Sequence, residues 1–169
     1  MRSHYVRAQT GFTLIELLVV VVIVGVLAGT VAFHYMGGDR ETKLKTEAER
    51  LARVLDLARD SAVARNEEWG LYVDERKYTF AVLDPERGEW REQKDRPFVA
   101  RSLETATLTV KVDKRELKLA NAKKQAVPAV MIFSSGEQTP FEIELTPVWE
   151  SRPWRVHSDG LSRTLAERA

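Results

Sequence analysis

The sequence predicts an α+β fold, in which a long N-terminal helix packs on a C-terminal domain of antiparallel β-sheet. Two observations lead to this prediction. Residues 12–66 have the apolar spacing of helices, first as an unbroken run and then at every third or fourth position. From Trp69 onward, short apolar segments with a spacing of two alternate with turn residues, as in antiparallel strands. A helix followed by a series of strands is the element order of a layered α+β domain.

The first part of the predicted helix, residues 12–33, is long and apolar enough to cross a membrane. As a helix it would extend roughly 33 Å at about 1.5 Å per residue, against a bilayer core of about 30 Å. Glu16 is the only charged residue in this segment. A carboxylate inside a membrane is costly without a partner, which makes Glu16 a candidate functional residue. If the chain were cut after Gly11, the new ammonium group of Phe12 would lie four residues before it.

The second part of the predicted helix, residues 34–66, is amphipathic. Its apolar positions form one stripe, widened by Val54 and Leu57: Leu44, Ala48, Leu51, Leu55, Ala58 and Ala62. The charged residues off the stripe are expected on a solvated face: Glu47, Glu49, Arg50, Arg53, Asp56, Arg59 and Asp60. The glycine pair 37–38 is the predicted weak point, because each glycine costs about 1 kcal/mol relative to alanine in a helix. Asp39 is suited to cap a restarted helix there.

The β-rich domain is predicted over residues 67–169. Its predicted strands are residues 71–73, 78–83, 98–100, 108–112, 116–119, 129–133, 141–145 and 154–157. The unbroken apolar run 129–133 predicts a central strand buried on both faces, whereas the alternation in 141–145 predicts one buried and one exposed face. Residues 74–76, 84–88, 134–140 and 158–160 are predicted turns or loops, and residues 121–125 a basic polar loop. Residues 161–169 are expected to be a frayed tail or an edge strand.

Length, charge and cysteine content exclude several classes of protein. The chain has 169 residues, and about 135 remain after a leader and a spanning segment, enough for one domain with a core. Without Arg2 and Arg7 near the N-terminus, 24 basic residues face 25 acidic ones, so bulk charge does not favour nucleic acid. The chain has no cysteine and therefore no disulfide framework.

The N-terminal motif resembles a known signal. Residues 11–16 read Gly-Phe-Thr-Leu-Ile-Glu, follow a basic stretch and precede a long apolar run, as in the class III signal of type IV pilins and pseudopilins. The resemblance implies that a prepilin peptidase removes residues 1–11 by cutting between Gly11 and Phe12, and that Phe12 is then N-methylated. It also implies that Glu16 pairs with the N-terminus of a neighbouring subunit during assembly. An ordinary signal anchor and a cleavable secretory signal are the alternatives.

The C-terminal half carries a second resemblance. Residues 133–141 read Phe-Ser-Ser-Gly-Glu-Gln-Thr-Pro-Phe, and an alternating strand, Trp154-Arg155-Val156 and Asp159-Gly160 follow them. This order is similar to the H-type minor pseudopilins of type II secretion systems and to related minor pilins. The major pseudopilin usually has a calcium-binding loop, whereas Asp159 stands without the clustered oxygen ligands that calcium needs. The resemblance therefore implies a minor subunit of pilin-like fold, with no metal site.

Together the two resemblances imply a structural role in secretion. They imply a single-pass protein of the inner membrane, with residues 34–66 and the β-rich domain in the periplasm. Such a subunit would lie at or near the tip of a pseudopilus that supports export of folded proteins across the outer membrane. The implied partners are the other minor pseudopilins, the major pseudopilin and the prepilin peptidase. The alternative is a minor type IV pilin in pilus assembly or DNA uptake.

The sequence does not point to an enzyme, a catalytic residue or a cofactor. His4, His34 and His157 are isolated and lack the spacing of metal ligands. Residues 157–159 spell His-Ser-Asp, but neighbours along a strand and turn cannot converge as a catalytic triad does. An enzyme anchored by the same signal is the most distant alternative.

A basic and aromatic C-terminus is the one feature consistent with DNA binding. Its members are Trp149, Arg152, Trp154, Arg155, Arg163 and Arg168. Proteins that bind single-stranded nucleic acid typically use arginines that contact phosphate and aromatic rings that stack on bases. The simpler interpretation is preferred, with solvated arginines over packed tryptophans, and nucleic acid is not an expected partner.

Overall fold

The computed structural model describes the backbone of residues 14–117, 119 and 127–169, and all side chains of these residues except those of 28–39. Ten strands, β1 to β10, follow one helix, α1, in chain order. Two units are distinguished, one up to Arg40 and one from Glu41 onward. The predicted basic loop at residues 121–125 lies outside the described residues, as do Gly11 and Phe12. The α+β class with antiparallel sheets is confirmed.

Helix α1 runs from Leu14 to Arg65 without a break. The predicted weak point at residues 37–38 is helical, so Asp39 lies inside the helix and does not cap a restart. Asn66 ends the helix in the left-handed conformation, with φ of 53°, and Glu67 N–H donates to the carbonyl of Ala62 at 3.1 Å. Asparagine tolerates this conformation better than most residues, which explains the stop at this position.

The predicted membrane segment stays a prediction. Within the part of the chain that the structure describes, no helix is both long enough and apolar enough to cross a membrane. The predicted segment, residues 12–33, extends beyond the described side chains at both ends.

The predicted apolar stripe of the second unit is confirmed. All six of its residues are buried, with exposures of 0–2 %: Leu44, Ala48, Leu51, Leu55, Ala58 and Ala62. Val54 joins them at 6 %, and so does Ala52, which the stripe did not include. Leu57 was expected to widen the stripe but is 43 % exposed.

Five strands form sheet A. They are β1 (Trp69–Asp74), β2 (Lys77–Asp84), β3 (Glu89–Glu92), β4 (Arg101–Ser102) and β7 (Val130–Ile132). The order is β3-β2-β1-β7, with β4 paired to β2. The first two strands form the predicted hairpin around residues 75–76. The strand predicted at 129–133 is present as β7, but the prediction of a central position was wrong, because β7 ends the sheet.

The predicted strand at residues 98–100 was also wrong. Phe98 N–H donates to the carbonyl of Asp95 at 2.8 Å, which makes a turn around Pro97. Phe98 is nevertheless 6 % exposed, and its ring centroid lies 4.6 Å from that of Trp69 and 5.8 Å from that of Phe80. A turn thus inserts an aromatic ring into the core. In the sequence, such a turn has the same apolar pattern as a short strand.

Sheet B contains the other five strands. They are β5 (Ala106–Val112), β6 (Arg115–Glu116), β8 (Phe141–Pro147), β9 (Trp154–Ser158) and β10 (Leu165–Arg168), in the order β10-β9-β8-β5-β6. Strand β8 alternates between buried and half-buried residues along its whole length, as predicted. Residues 161–169 were expected to be either a frayed tail or an edge strand. Strand β10 lies at one end of sheet B and confirms the edge strand. The existence of a second sheet was not predicted.

The helix and both sheets contribute to one hydrophobic core. Leu51 and Leu55 of α1 belong to the same buried cluster as Leu71 of sheet A and Ile143 of sheet B. A shared core fixes the two sheets and residues 41–65 of the helix as a framework for the loops between the strands.

Candidate functional site

Of the three residues predicted to act in processing and assembly, the structure describes Glu16 alone. Glu16 lies in the first turn of α1. A carboxylate at a helix N-terminus interacts favourably with the free N–H groups and the helix dipole. Its neighbours Leu14 and Ile15 are 86 % and 71 % exposed. Glu16 is thus a charged residue beside apolar side chains that are largely exposed.

Exposure extends along the apolar side chains that the structure describes in the first unit. Every large apolar residue from Leu14 to Leu27 is between 48 % and 86 % exposed. Apolar side chains all round a helix are typical of segments that are buried by lipid or by other helices. This segment is therefore a candidate contact surface.

In the second unit, Glu47 connects the helix to sheet A. Its carboxylate accepts hydrogen bonds from Arg101 Nε at 2.9 Å and Nη2 at 2.6 Å, and from the Tyr78 hydroxyl at 3.2 Å. Arg50 Nη1 donates to the same hydroxyl at 2.8 Å. The prediction of a fully solvated face was wrong here, since the Glu47 side chain is 14 % exposed. The pairing of Glu47 with Arg101 gives no signal in the sequence, because the two residues are 54 positions apart.

Burial and charge shift the pKa values of two groups in this cluster. Burial of the Tyr78 ring, followed by the negative charge of Glu47, raises the pKa of Tyr78 well above its ordinary value. The hydrogen bond to Glu47 raises the pKa of Arg101. Both shifts favour the protonated forms of these two side chains.

Arg59 and Asp56 connect the helix to two loops at the other end. Arg59 Nη1 donates to the carbonyl of Ser162 at 2.9 Å and Nη2 to that of Leu161 at 2.5 Å, while Nε donates to the carbonyl of Gly136. Asp56 Oδ1 accepts the N–H of Thr164 at 2.9 Å. These two residues were also predicted to lie on a solvated face, but both are half-buried and are bound by the loops.

The two loops also bind each other, through residues of the second motif. Gln138 Nε2 donates to the Ser158 hydroxyl at 2.8 Å, and Gln138 N–H donates to the carbonyl of Gly160 at 2.9 Å. Gly160 has φ of 93°, and a Cβ there would lie 2.4 Å from the Gln138 carbonyl oxygen. The residues that suggested the second resemblance therefore form one junction beside helix α1.

A row of alternating charges crosses the outer face of sheet B. Lys111 pairs with Glu142 at 2.8 Å, Arg155 with Glu142 at 3.5 Å, and Arg155 with Glu167 at 2.8 Å. The hydrogen bond from Lys111 lowers the pKa of Glu142, and the same bond raises the pKa of Lys111. Arg168 at the chain end pairs with Glu41. Carboxylates thus already neutralise two of the four arginines considered for DNA binding, which favours the interpretation as a structural face.

The His-Ser-Asp sequence at 157–159 does not converge. His157 Nε2 lies 3.4 Å from Glu167, and the Ser158 hydroxyl donates to the carbonyl of Ser162 at 3.3 Å. Asp159 accepts the N–H groups of Leu161 at 2.9 Å and Ser162 at 2.7 Å, and these bonds lower its pKa. Across the described residues, no three His, Asp or Glu side chains are placed to hold a metal ion.

Two protein families match the sequence. The family described as Type II transport protein GspH matches residues 47–162, which contain the Glu47 cluster and the loop junction. The prokaryotic N-terminal methylation motif matches residues 6–32, which contain Gly11, Phe12 and Glu16.

Individual relatives match most of the chain. The type II secretion system protein H of Pseudomonas aeruginosa is 35 % identical, over 91 % of this chain and 93 % of the relative. The protein H of Aeromonas hydrophila is 26 % identical, over 86 % and 84 %. Among solved structures, the minor pseudopilin EpsH of Vibrio cholerae has a similar fold, with a TM-score of 0.61 at 23 % identity, over 73 % of this chain and 94 % of EpsH.

Proposed function

Because this chain belongs to the GspH family of type II transport proteins, we propose that it is a minor pseudopilin at or near the tip of a type II secretion pseudopilus. In that position it supports the export of folded proteins across the outer membrane. One observation carries the proposal, namely the 35 % identity to a protein H of this secretion system along 91 % of the chain. The fold of EpsH supports it independently of sequence.

The N-terminal motif supports a route of maturation. A prepilin peptidase cuts between Gly11 and Phe12, and Phe12 is N-methylated. Residues 12–33 then hold the protein in the inner membrane by a single pass, with residues 34–66 and the β-rich domain, 67–169, in the periplasm. The exposed apolar side chains from Leu14 to Leu27 support this anchoring, since a helix of this kind is stable only when lipid or other helices cover it.

Glu16 sets the position of the subunit in the filament. An uncompensated charge in an apolar helix bundle is costly, so the carboxylate of Glu16 and the ammonium of a neighbour's Phe12 attract each other strongly. The protein therefore assembles with other pseudopilins. Its specific partners in the filament are the remaining minor subunits and the major subunit. The role is structural, in keeping with a family of filament subunits.

An in-frame deletion tests this function. Secretion of exoproteins and surface piliation with DNA uptake are measured in parallel, and the intact gene is returned as a control. Loss of secretion with normal pili is the expected result. Loss of pili or of DNA uptake with normal secretion would overturn the proposal in favour of a minor type IV pilin.

A further inference from the structure

A groove of about 630 Å³ lies between helix α1 and the two loops that Arg59 holds. Its helical side is formed by Arg53, Leu57, Asp60 and Val63, which occupy one exposed face at spacings of four, three and three. Gly136 and Arg163 of the loops form the opposite side. We call this feature the helix–loop groove.

The helix–loop groove is lined by both apolar and charged side chains, a combination found at protein interfaces. Leu57 and Val63 are 43 % and 52 % exposed, although Leu57 belongs to the same amphipathic helix as the core. Exposed Arg53 and Arg163 flank them. On such a helix a leucine normally faces the core. A single exposed leucine needs no explanation, but an exposed leucine and valine that line the same groove indicate a contact surface.

The charge of the groove favours an acidic partner. Three arginines and two aspartates line it: Arg53, Arg59, Arg163, Asp56 and Asp60. Arg59 binds three neutral carbonyl oxygens and, within the described part of the chain, no carboxylate. Arg163 likewise forms no ion pair with any described residue. Arg53 already pairs with Glu49 at 3.7 Å, so the positive charge that remains available to an incoming carboxylate is that of Arg59 and Arg163.

The walls of the groove are held in place before a partner arrives. Arg59 fixes the loops at residues 136 and 161–162 to the helix. Val63 supports the first loop, because a Cβ on Gly136 would lie 3.2 Å from its Cγ2 atom. A preformed groove lowers the entropic cost of binding.

From these observations we infer that the helix–loop groove binds an acidic amphipathic segment of a neighbouring pseudopilin. An apolar side chain of that segment covers Leu57 and Val63, and a carboxylate faces Arg163. The inference rests on the proposed function, because it takes the partner to be another filament subunit. It adds which surface of this chain makes the contact and which chemistry the partner contributes.

The test uses the full-length protein, captured from detergent-solubilised membranes of cells that express the complete set of pseudopilins. Mass spectrometry quantifies each pseudopilin that is retained. The groove variant carries Leu57→Ser and Arg163→Glu. A matched control carries Val148→Ser and Arg152→Glu, which change a valine that is 58 % exposed and an exposed arginine, both outside the groove.

The groove variant should retain about tenfold less of one pseudopilin, the loss typical of central interface residues. The control should retain as much as the wild type. Arg163→Glu alone should lower retention by about threefold without changing the melting temperature, because the Arg163 side chain is exposed and forms no hydrogen bond or ion pair with any described residue. Equal retention by the wild type and both groove variants would overturn the inference and leave the proposed function intact. A wild type that retains no pseudopilin would overturn both.

Discussion

The guanidinium of Arg101 binds both carboxylate oxygens of Glu47, with an Nε–Oε1 distance of 2.9 Å and an Nη2–Oε2 distance of 2.6 Å. Glu47 belongs to helix α1, and Arg101 belongs to the two-residue strand β4. The pair therefore connects the helix to a short strand that has few other contacts. Because Tyr78 and Arg50 share the carboxylate, the loss of Glu47 affects three side chains at once.

Glu47→Ala should lower the free energy of unfolding by about 1–3 kcal/mol, because the buried hydroxyl of Tyr78 and the guanidinium of Arg50 lose an acceptor. Urea unfolding measures the change. Glu49→Ala is the matched control, since Glu49 has ion pairs at 3.8 Å and 3.7 Å but is 39 % exposed. It should cost about 0.5 kcal/mol or less. Equal losses in the two variants would contradict a special role for Glu47.

Stability should fall as the pH rises above the ordinary pKa of tyrosine. Burial raises the pKa of Tyr78 from 10.0 in the folded state, so the unfolded chain loses this proton first. The unfolded state then binds fewer protons than the folded state, and the free energy of unfolding decreases with pH. Urea unfolding between about pH 9 and pH 11 measures the slope.

Tyr78→Phe is the variant that tests the origin of this slope. Its slope should be smaller but not zero, because burial also raises the pKa of Tyr72. A slope unchanged from that of the wild type would assign the effect to other groups.

Local patterns predicted the elements whose signal lies in adjacent residues. The stripe from Leu44 to Ala62 and the alternation in strand β8 are both periodic over several residues, and the structure confirms both. Residues 98–100 gave the same apolar signal without a strand, because a single ring from a turn fills the core. The short strand β7 at the end of sheet A shows the same limit, since an apolar run reports burial and not position within a sheet.

The functional residues likewise fall into those that the sequence identifies and those that only the structure brings together. Gly11, Phe12 and Glu16 stand in a contiguous motif, so the sequence identifies them as candidates. Glu47 and Arg101 are 54 positions apart, and Arg59 is 102 and 103 positions from the carbonyl groups of Leu161 and Ser162. Only the fold brings these groups together, and a charged residue on a helix is by default expected in solvent.

Gly160→Ala should be strongly destabilising, because the residue has φ of 93° and its Cβ would lie 2.4 Å from a backbone carbonyl. We expect a loss of at least about 2 kcal/mol from backbone strain and steric overlap. Gly88→Ala is the matched control, since Gly88 also has a positive φ, 67°, but open space around it. It should cost about 1 kcal/mol. Thermal unfolding of both variants separates the backbone strain, which they share, from the steric overlap, which only Gly160→Ala has. Equal losses of stability would show that the close approach to the Gln138 carbonyl is not a cause.

Gly11→Ala should prevent removal of residues 1–11. The resemblance of residues 11–16 to pilin signals implies that the peptidase requires glycine at the cut, so the variant should retain its leader. Mass spectrometry of the purified chains should find methylated Phe12 as the first residue of the wild type but not of Gly11→Ala. Gly25→Ala is the control, because a Cβ there meets no atom within 4 Å, and this variant should be processed normally. An uncut N-terminus in the wild type would refute the maturation route.

Glu16→Ala should be processed normally but should fail to enter the filament. Without the carboxylate, the ammonium group of a neighbour's Phe12 is left unpaired in an apolar bundle, so incorporation should fall by about tenfold or more. Glu16→Gln keeps the shape and removes the charge, and should fail equally if the charge is what matters. Leu17→Ala, which shortens an exposed apolar neighbour, should be incorporated almost normally.

Incorporation is measured by quantifying the subunit in sheared pseudopili. Normal incorporation of Glu16→Gln would show that the ion pair does not position the subunit, whereas failure of Leu17→Ala as well would assign the effect to helix packing.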